Sequence, residues 1–200
     1  MEKEIRTLEE QALEIRTAEE NEGPILTGYA AVFNKPALIR DRRGDTYYEE
    51  IVPGAFKRSL SGTKEVFALR NHDSNALLGS TLVNLKLWED NYGLGFELRK
   101  AGTPDFENAY AAVKSKLLRY CSFGFNVAKG GEKWSVRNKI PYRRITDVNL
   151  GEISLTHIPA YSQTSVEVRS IVLNDSEDDI EKERQQRWNE LIKKYIQEGK

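Results

Sequence analysis

Residues 118–127 read LRYCSFGFNV. Taken as a strand, the stretch sends Cys121, Phe123, Phe125 and Val127 to one face, and Tyr120, Ser122, Gly124 and Asn126 to the other. The first set is apolar and belongs in a core. The second is small and polar, and Gly124 leaves open space beside the Ser122 hydroxyl. A serine set there is either an ordinary solvent-facing residue or a nucleophile, and the rest of the chain has to separate the two readings.

Working outward, most segments also read as β. ALEIRT at 12–17 and ILTGYAAVF at 25–33 are two strands of a hairpin turned by EENEG at 19–23. EIRT occurs at 4–7 and again at 14–17, which fits two similar edge strands better than a repeat architecture. Residues 34–46 read as a polar loop. Pro53-Gly54 marks a turn into a short helix carrying Phe56 and Leu60. EVFALR at 65–70 is a strand ending in Asn71-His72-Asp73. Segments 81–90 and 92–100 form a hairpin bent at Asp90-Asn91.

The period then changes. Thr103 caps a helix that starts at Pro104, with Phe106, Ala109, Val113 and Leu117 as its apolar stripe. Gly130-Gly131 turns the Ser122 strand into KWSVRNK and IPYRRITDVN, and LGEISLTHIPAY at 150–161 is a further strand. The basic run KGGEKWSVRNKIPYRR reads as a solvated hairpin more economically than as an RNA contact. VEVRSIVL at 166–173 alternates briefly. An acidic linker over 171–179 leads to an amphipathic helix over 180–200, able to pack on the body, to self-associate or to bind a partner.

Composition narrows the function class. Formal net charge is −1, so no global field draws in nucleic acid or membrane. The single cysteine, Cys121, allows no intrachain disulfide and suits a reducing compartment. No apolar run approaches the roughly 20 residues of a membrane span. The opening MEKEIRTLEEQ has no hydrophobic signal core, so a cytoplasmic protein is expected. No phosphate-binding glycine loop, no dinucleotide fingerprint and no G-x-S-x-G elbow is present. Two separated histidines and one cysteine do not make a zinc site, and no cofactor is expected.

A serine nucleophile needs a base, a group that orients the base, and donors for the oxyanion. His72, at a strand end, supplies an imidazole, the side-chain type suited to proton transfer at physiological pH. Glu152 and His157 are the candidates for the orienting group, and a regular strand sends them to opposite faces. Glu152 shares its face with Ser154 and Thr156, a setting that suits a hydrogen-bonded carboxylate. Asp73 ranks third, because neighbouring side chains seldom orient one another. Backbone N–H groups near Phe123 and Gly124 are the candidate oxyanion donors.

The motifs GYAAVFN (28–34), EEIVPGAF (49–56), LRNHD (69–73), SFGF from Ser122 and EISLTHIPAY (152–161), in that order, resemble the prohead maturation proteases of tailed bacteriophages. The resemblance covers about residues 12–170. It implies a mainly β fold with a few helices: a closed antiparallel β-barrel of the herpesvirus-protease type, spanning residues 1–170. It also implies a serine endopeptidase at work inside the assembling procapsid, in the host cytoplasm. Such enzymes cut the scaffold, or the scaffold-like segment of the major capsid protein, and themselves. By this match Ser122 is the nucleophile and His72 the general base. Glu152 is preferred as the third member because the phage families use an acid after the serine. His157 is the alternative, because herpesvirus proteases use a second histidine. Two rival functions stay open: a non-catalytic capsid-assembly protein that binds scaffold, and a small serine esterase.

Overall fold

The computed structural model describes residues 3–7, 13–17, 24–40 and 44–157. The turn at 19–23, the segment 166–173, the acidic linker and the terminal helix lie outside them. The described chain is mainly β. Its opening strands are β1 (Glu4–Thr7), β2 (Leu13–Thr17), β3 (Pro24–Val32), β4 (Ala37–Arg40) and β5 (Thr46–Ile51). Helix α1 (Lys57–Ser61) leads to β6 (Phe67–Arg70), β7 (Asp73–Ser80), β8 (Leu85–Glu89) and β9 (Gly93–Arg99). Helix α2 (Pro104–Lys114) precedes β10 (Tyr120–Val127), β11 (Glu132–Arg137), β12 (Ile140–Ile145) and β13 (Val148–Thr156). Among the described residues no helix is long and apolar enough to cross a membrane.

The strands form three sheets, ordered β1-β10-β13-β6-β7, β11-β12-β5-β4 and β2-β3-β9-β8. The mainly β expectation holds, whereas the closed barrel is not confirmed: among the described residues no sheet closes on itself, and two strand pairs are parallel where all were expected antiparallel. Parallel partners need long crossovers, and here β12 returns beside β5 after 88 residues (52–139) and β13 beside β6 after 77 (71–147). Such pairings leave no local signal in a sequence. The two EIRT segments do lie on edge strands, β1 and β2.

Local chemistry explains the elements that were legible. Thr103 Oγ1 accepts the Phe106 N–H at 3.3 Å and Pro104 opens α2, so the cap and the first helical residue act together. Phe106, Ala109 and Val113 are buried, but Leu117 is 70% exposed. The helix stops at Lys114, Lys116 takes a left-handed φ of 60°, and Leu118 turns inward in its place. The expected polar loop at 34–46 contains β4, because Ile39 supplies a buried anchor there. Residues 73–80 were not expected to pair at all. Their Asp-Ser-Asn start reads as a loop, yet Ala76, Leu78 and Ser80 are buried on one face.

One hydrophobic cluster joins all three sheets. At its centre Phe123 of β10 stacks on Phe125 at 5.1 Å and meets the edge of Phe56 at 5.6 Å. Gly54, at φ 96°, makes the turn that delivers Phe56. These rings fix β10, and hence Ser122, against the body. Phe123→Ala removes the middle ring and should cost about 3–5 kcal/mol; chemical denaturation of purified variant and wild type measures it.

Candidate active site

Ser122 lies on β10, the second strand of its sheet, with β1 on one side and β13 on the other. Its partners across the two ladders are Thr7 and Ser154. The polar face was expected to be open, but Ser122 is 0% exposed. The space that Gly124 leaves is filled: a Cβ there would lie 2.6 Å from Glu152 Oε1 and would also strike the Lys3 stem. The glycine therefore makes room for a carboxylate and a cation. Gly124→Ala should displace Glu152, lowering the melting temperature and disturbing the site together; thermal unfolding and a serine-directed probe read the two effects.

Glu152 faces Gly124 across the β10–β13 ladder and is 2% exposed. Its Oε1 is 2.9 Å from His72 Nδ1 and 2.5 Å from Lys3 Nζ. Burial opposes its ionisation, but hydrogen bonds and charge from His72 and Lys3 outweigh that and hold the carboxyl below its ordinary value. With Glu152 ionised, His72 Nδ1 carries the proton and donates it, which leaves Nε2 as the basic nitrogen.

The backbone aims the imidazole. Asn71 and His72 form the two-residue link between β6 and β7, both with left-handed φ (52° and 60°), as in a type I′ hairpin turn. Asn and His are among the residues that tolerate this region best, though at some strain. The turn is pinned from below: the His72 N–H donates to Ser154 Oγ at 3.2 Å and the Asn71 N–H to the Leu155 carbonyl. Ser154 Oγ in turn lies 3.4 Å from Glu152 Oε2. Parallel pairing of β13 with β6 is what brings the turn over Glu152.

His72, Ser154 and Glu152 thus form one hydrogen-bonded group, and Ser154 is the ladder partner of Ser122. The other candidates sit elsewhere. His157 is exposed and its Nδ1 is 3.1 Å from Asn71 Oδ1, so it touches the turn and not the carboxylate. Asp73 is exposed and accepts from Asn75. Among the described residues no hydrogen bond joins Ser122 to His72. The serine hydroxyl instead donates to the Arg6 carbonyl of β1 at 2.8 Å.

Sequence reasoning placed Ser154 on the Glu152 face but not under the His72 turn, and it missed Lys3 and Arg6. The alternation of β13 held a signal for Ser154, since it shares a face with Glu152. Nothing local announces Lys3 or Arg6, which reach the site from more than a hundred residues upstream. Cys121, on the core face, is fully buried, and burial pushes its thiol up to about 12, so it is no rival nucleophile. The family described as caudovirus prohead serine protease matches residues 11–179.

The chain belongs to that family. Its role is therefore that of a phage capsid maturation protease of the serine class. No curated protein and no solved structure matches the chain significantly. Ser122 lies on the face of the sheet that also carries the His72–Glu152 pair. Lys3 and β1 lie outside the matched residues.

Proposed function

We propose that the protein is a serine endopeptidase that cuts the scaffold, or the scaffold-like segment of the major capsid protein, inside the procapsid, with Ser122 as nucleophile, His72 as base and Glu152 as the group that orients it. The single observation that carries the reading is the 2.9 Å contact between His72 Nδ1 and the buried Glu152 carboxylate, made on the sheet face that carries Ser122. A buried carboxylate that fixes an imidazole tautomer beside a serine is the arrangement acyl transfer to serine requires.

The steps follow from the groups present. The Ser122 hydroxyl turns from the Arg6 carbonyl to His72 Nε2 and passes its proton there as Oγ attacks the substrate carbonyl carbon. The carbonyl electron pair moves onto oxygen, where backbone N–H groups of β10 hold it. The oxyanion collapses, the C–N bond breaks, and His72 gives the proton to the leaving amine. Water, deprotonated by His72, then releases the acyl group and restores the serine. Glu152 stays ionised throughout and stabilises the imidazolium.

The reading keeps the herpesvirus-protease barrel as parent architecture, and three sheets sharing one hydrophobic core are compatible with it. It also includes residues 174–179 of the acidic linker as a self-processing or hinge site. A non-catalytic scaffold-binding protein would have no use for a carboxylate buried against an imidazole. Co-expression with the cognate capsid protein, read by mass, tests the proposal: intact capsid protein with the wild-type enzyme would overturn it.

A further inference from the structure

Strand β1 does two things to the groups named above. Its Arg6 carbonyl accepts a hydrogen bond from the Ser122 hydroxyl at 2.8 Å. Its neighbour Lys3 sits on the same Glu152 oxygen that binds His72. β1 also runs antiparallel along the edge of β10, pairing Glu4 to Thr7 with Phe125 to Ser122. An extended peptide added to a sheet edge gains backbone hydrogen bonds in just this way. We propose that β1 is a built-in blocking strand: it occupies the edge where the substrate polypeptide docks, and it must leave before Ser122 can act. This inference rests on the hydrolytic reading given above.

The strand is built to be released. It is four residues long and lies at the edge of its sheet, with Ile5 39% exposed. Beyond the backbone ladder with β10 and the Arg6 guanidinium over the Phe125 ring, its hold on the body is ionic. Arg6 grips Glu49 with two hydrogen bonds of 2.5 and 2.8 Å, and Glu4 takes two from Arg143, at 2.7 and 2.9 Å. When β1 departs, no buried charge is orphaned. Glu49 keeps Arg143 at 2.9 Å, and Arg143 keeps Glu132 at 2.6 Å. The remaining network closes on itself, so the usual penalty for breaking a buried ion pair does not arise.

Departure also supplies what catalysis lacks. Each backbone N–H of an interior strand points to one neighbour or the other, so those of β10 that face β1 become free donors. A substrate strand taking the same register places its carbonyl where that of Arg6 now stands, against Ser122 Oγ. The ligand class is an extended polypeptide lying antiparallel to β10. Substrate and β1 compete for one edge, and apparent activity scales with the fraction of molecules whose edge is free.

Labelling of Ser122 by a fluorophosphonate probe, in the full chain, tests this. Arg6→Ala weakens the anchor while leaving Glu49 with Arg143, and Ile5→Pro removes a backbone donor from the strand. Each should label at least about tenfold faster than wild type, the factor that ~1.4 kcal/mol of lost docking free energy produces. Circular dichroism establishes which variants are folded at the assay temperature, and Arg6→Ala alone decides if the proline variant is not. Faster labelling of folded variants supports the blocking strand. Equal rates in wild type and variants overturn it and leave the hydrolytic reading standing. Absence of labelling in every protein, wild type included, overturns both.

Discussion

Capsid protein co-expressed with Ser122→Ala keeps its full mass, whereas the wild-type enzyme shortens it. The expected fall in kcat is on the order of 10⁶-fold, the size of loss seen when a triad serine is removed. The fold should survive the change. Ser122 is fully buried on an interior strand whose opposite face carries Phe123 and Phe125, and alanine preserves that packing. What goes is one hydroxyl and its hydrogen bond to the Arg6 carbonyl, worth about 1 kcal/mol. A large loss of turnover with little loss of stability is the signature of a nucleophile. A scaffold-binding protein behaves in the opposite way: alanine at Ser122 or His72 leaves its action unchanged. The same samples report on the chain itself. Self-cleavage within 174–179 shortens the wild-type enzyme and not the alanine protein. Processed capsid protein in the Ser122→Ala culture removes Ser122 from the mechanism.

What could be read ahead of the structure was local. Thr103-Pro104 announced α2, Pro53-Gly54 announced the turn to α1, and alternation in 118–127 separated the core side of β10 from the Ser122 side. What could not be read was tertiary. Alternation says which way a side chain points and nothing about what lies over it, so Ser122 read as open although β1, Lys3 and Glu152 fill its surroundings. The residue types of the site were legible as well, since there are only two histidines to choose from. Their meeting was not. His72 and Glu152 touch because β6 and β13, far apart in the chain, pair in parallel, and because an Asn-His turn adopts left-handed backbone at two successive residues. The hairpin that holds this turn includes β7, whose first residues are those of a loop. Even the strain at the turn has a tertiary cause, since Ser154 and Leu155 pin it from the next strand.

Glu152→Gln separates the orienting role from the merely structural one. An amide at 152 can donate to His72 Nδ1, leaving the proton on Nε2, the nitrogen that has to accept from Ser122. A tautomer reversed in this way lowers kcat by about 10⁴-fold in a serine triad, and a loss of that order is expected here. His157→Ala should cost far less, since His157 is exposed and reaches only Asn71; an equal loss there would transfer the orienting role to the second histidine. Acid supplies an independent readout. The Glu152 carboxyl is held below its ordinary value of 4.5 because His72 and Lys3 outweigh its burial. A group whose pKa is depressed by folding contributes stability that is complete above the unfolded value and drains away as pH falls through the folded one. The melting temperatures of wild type and Glu152→Gln should therefore differ most above pH 4.5 and converge in stronger acid. Other paired carboxylates, Glu4 among them, bend both curves alike, so the difference between the curves isolates position 152. A gap that stayed constant through the acid range would mean that the Glu152 charge contributes nothing to the fold, and the contact with His72 would then have to act through the neutral acid.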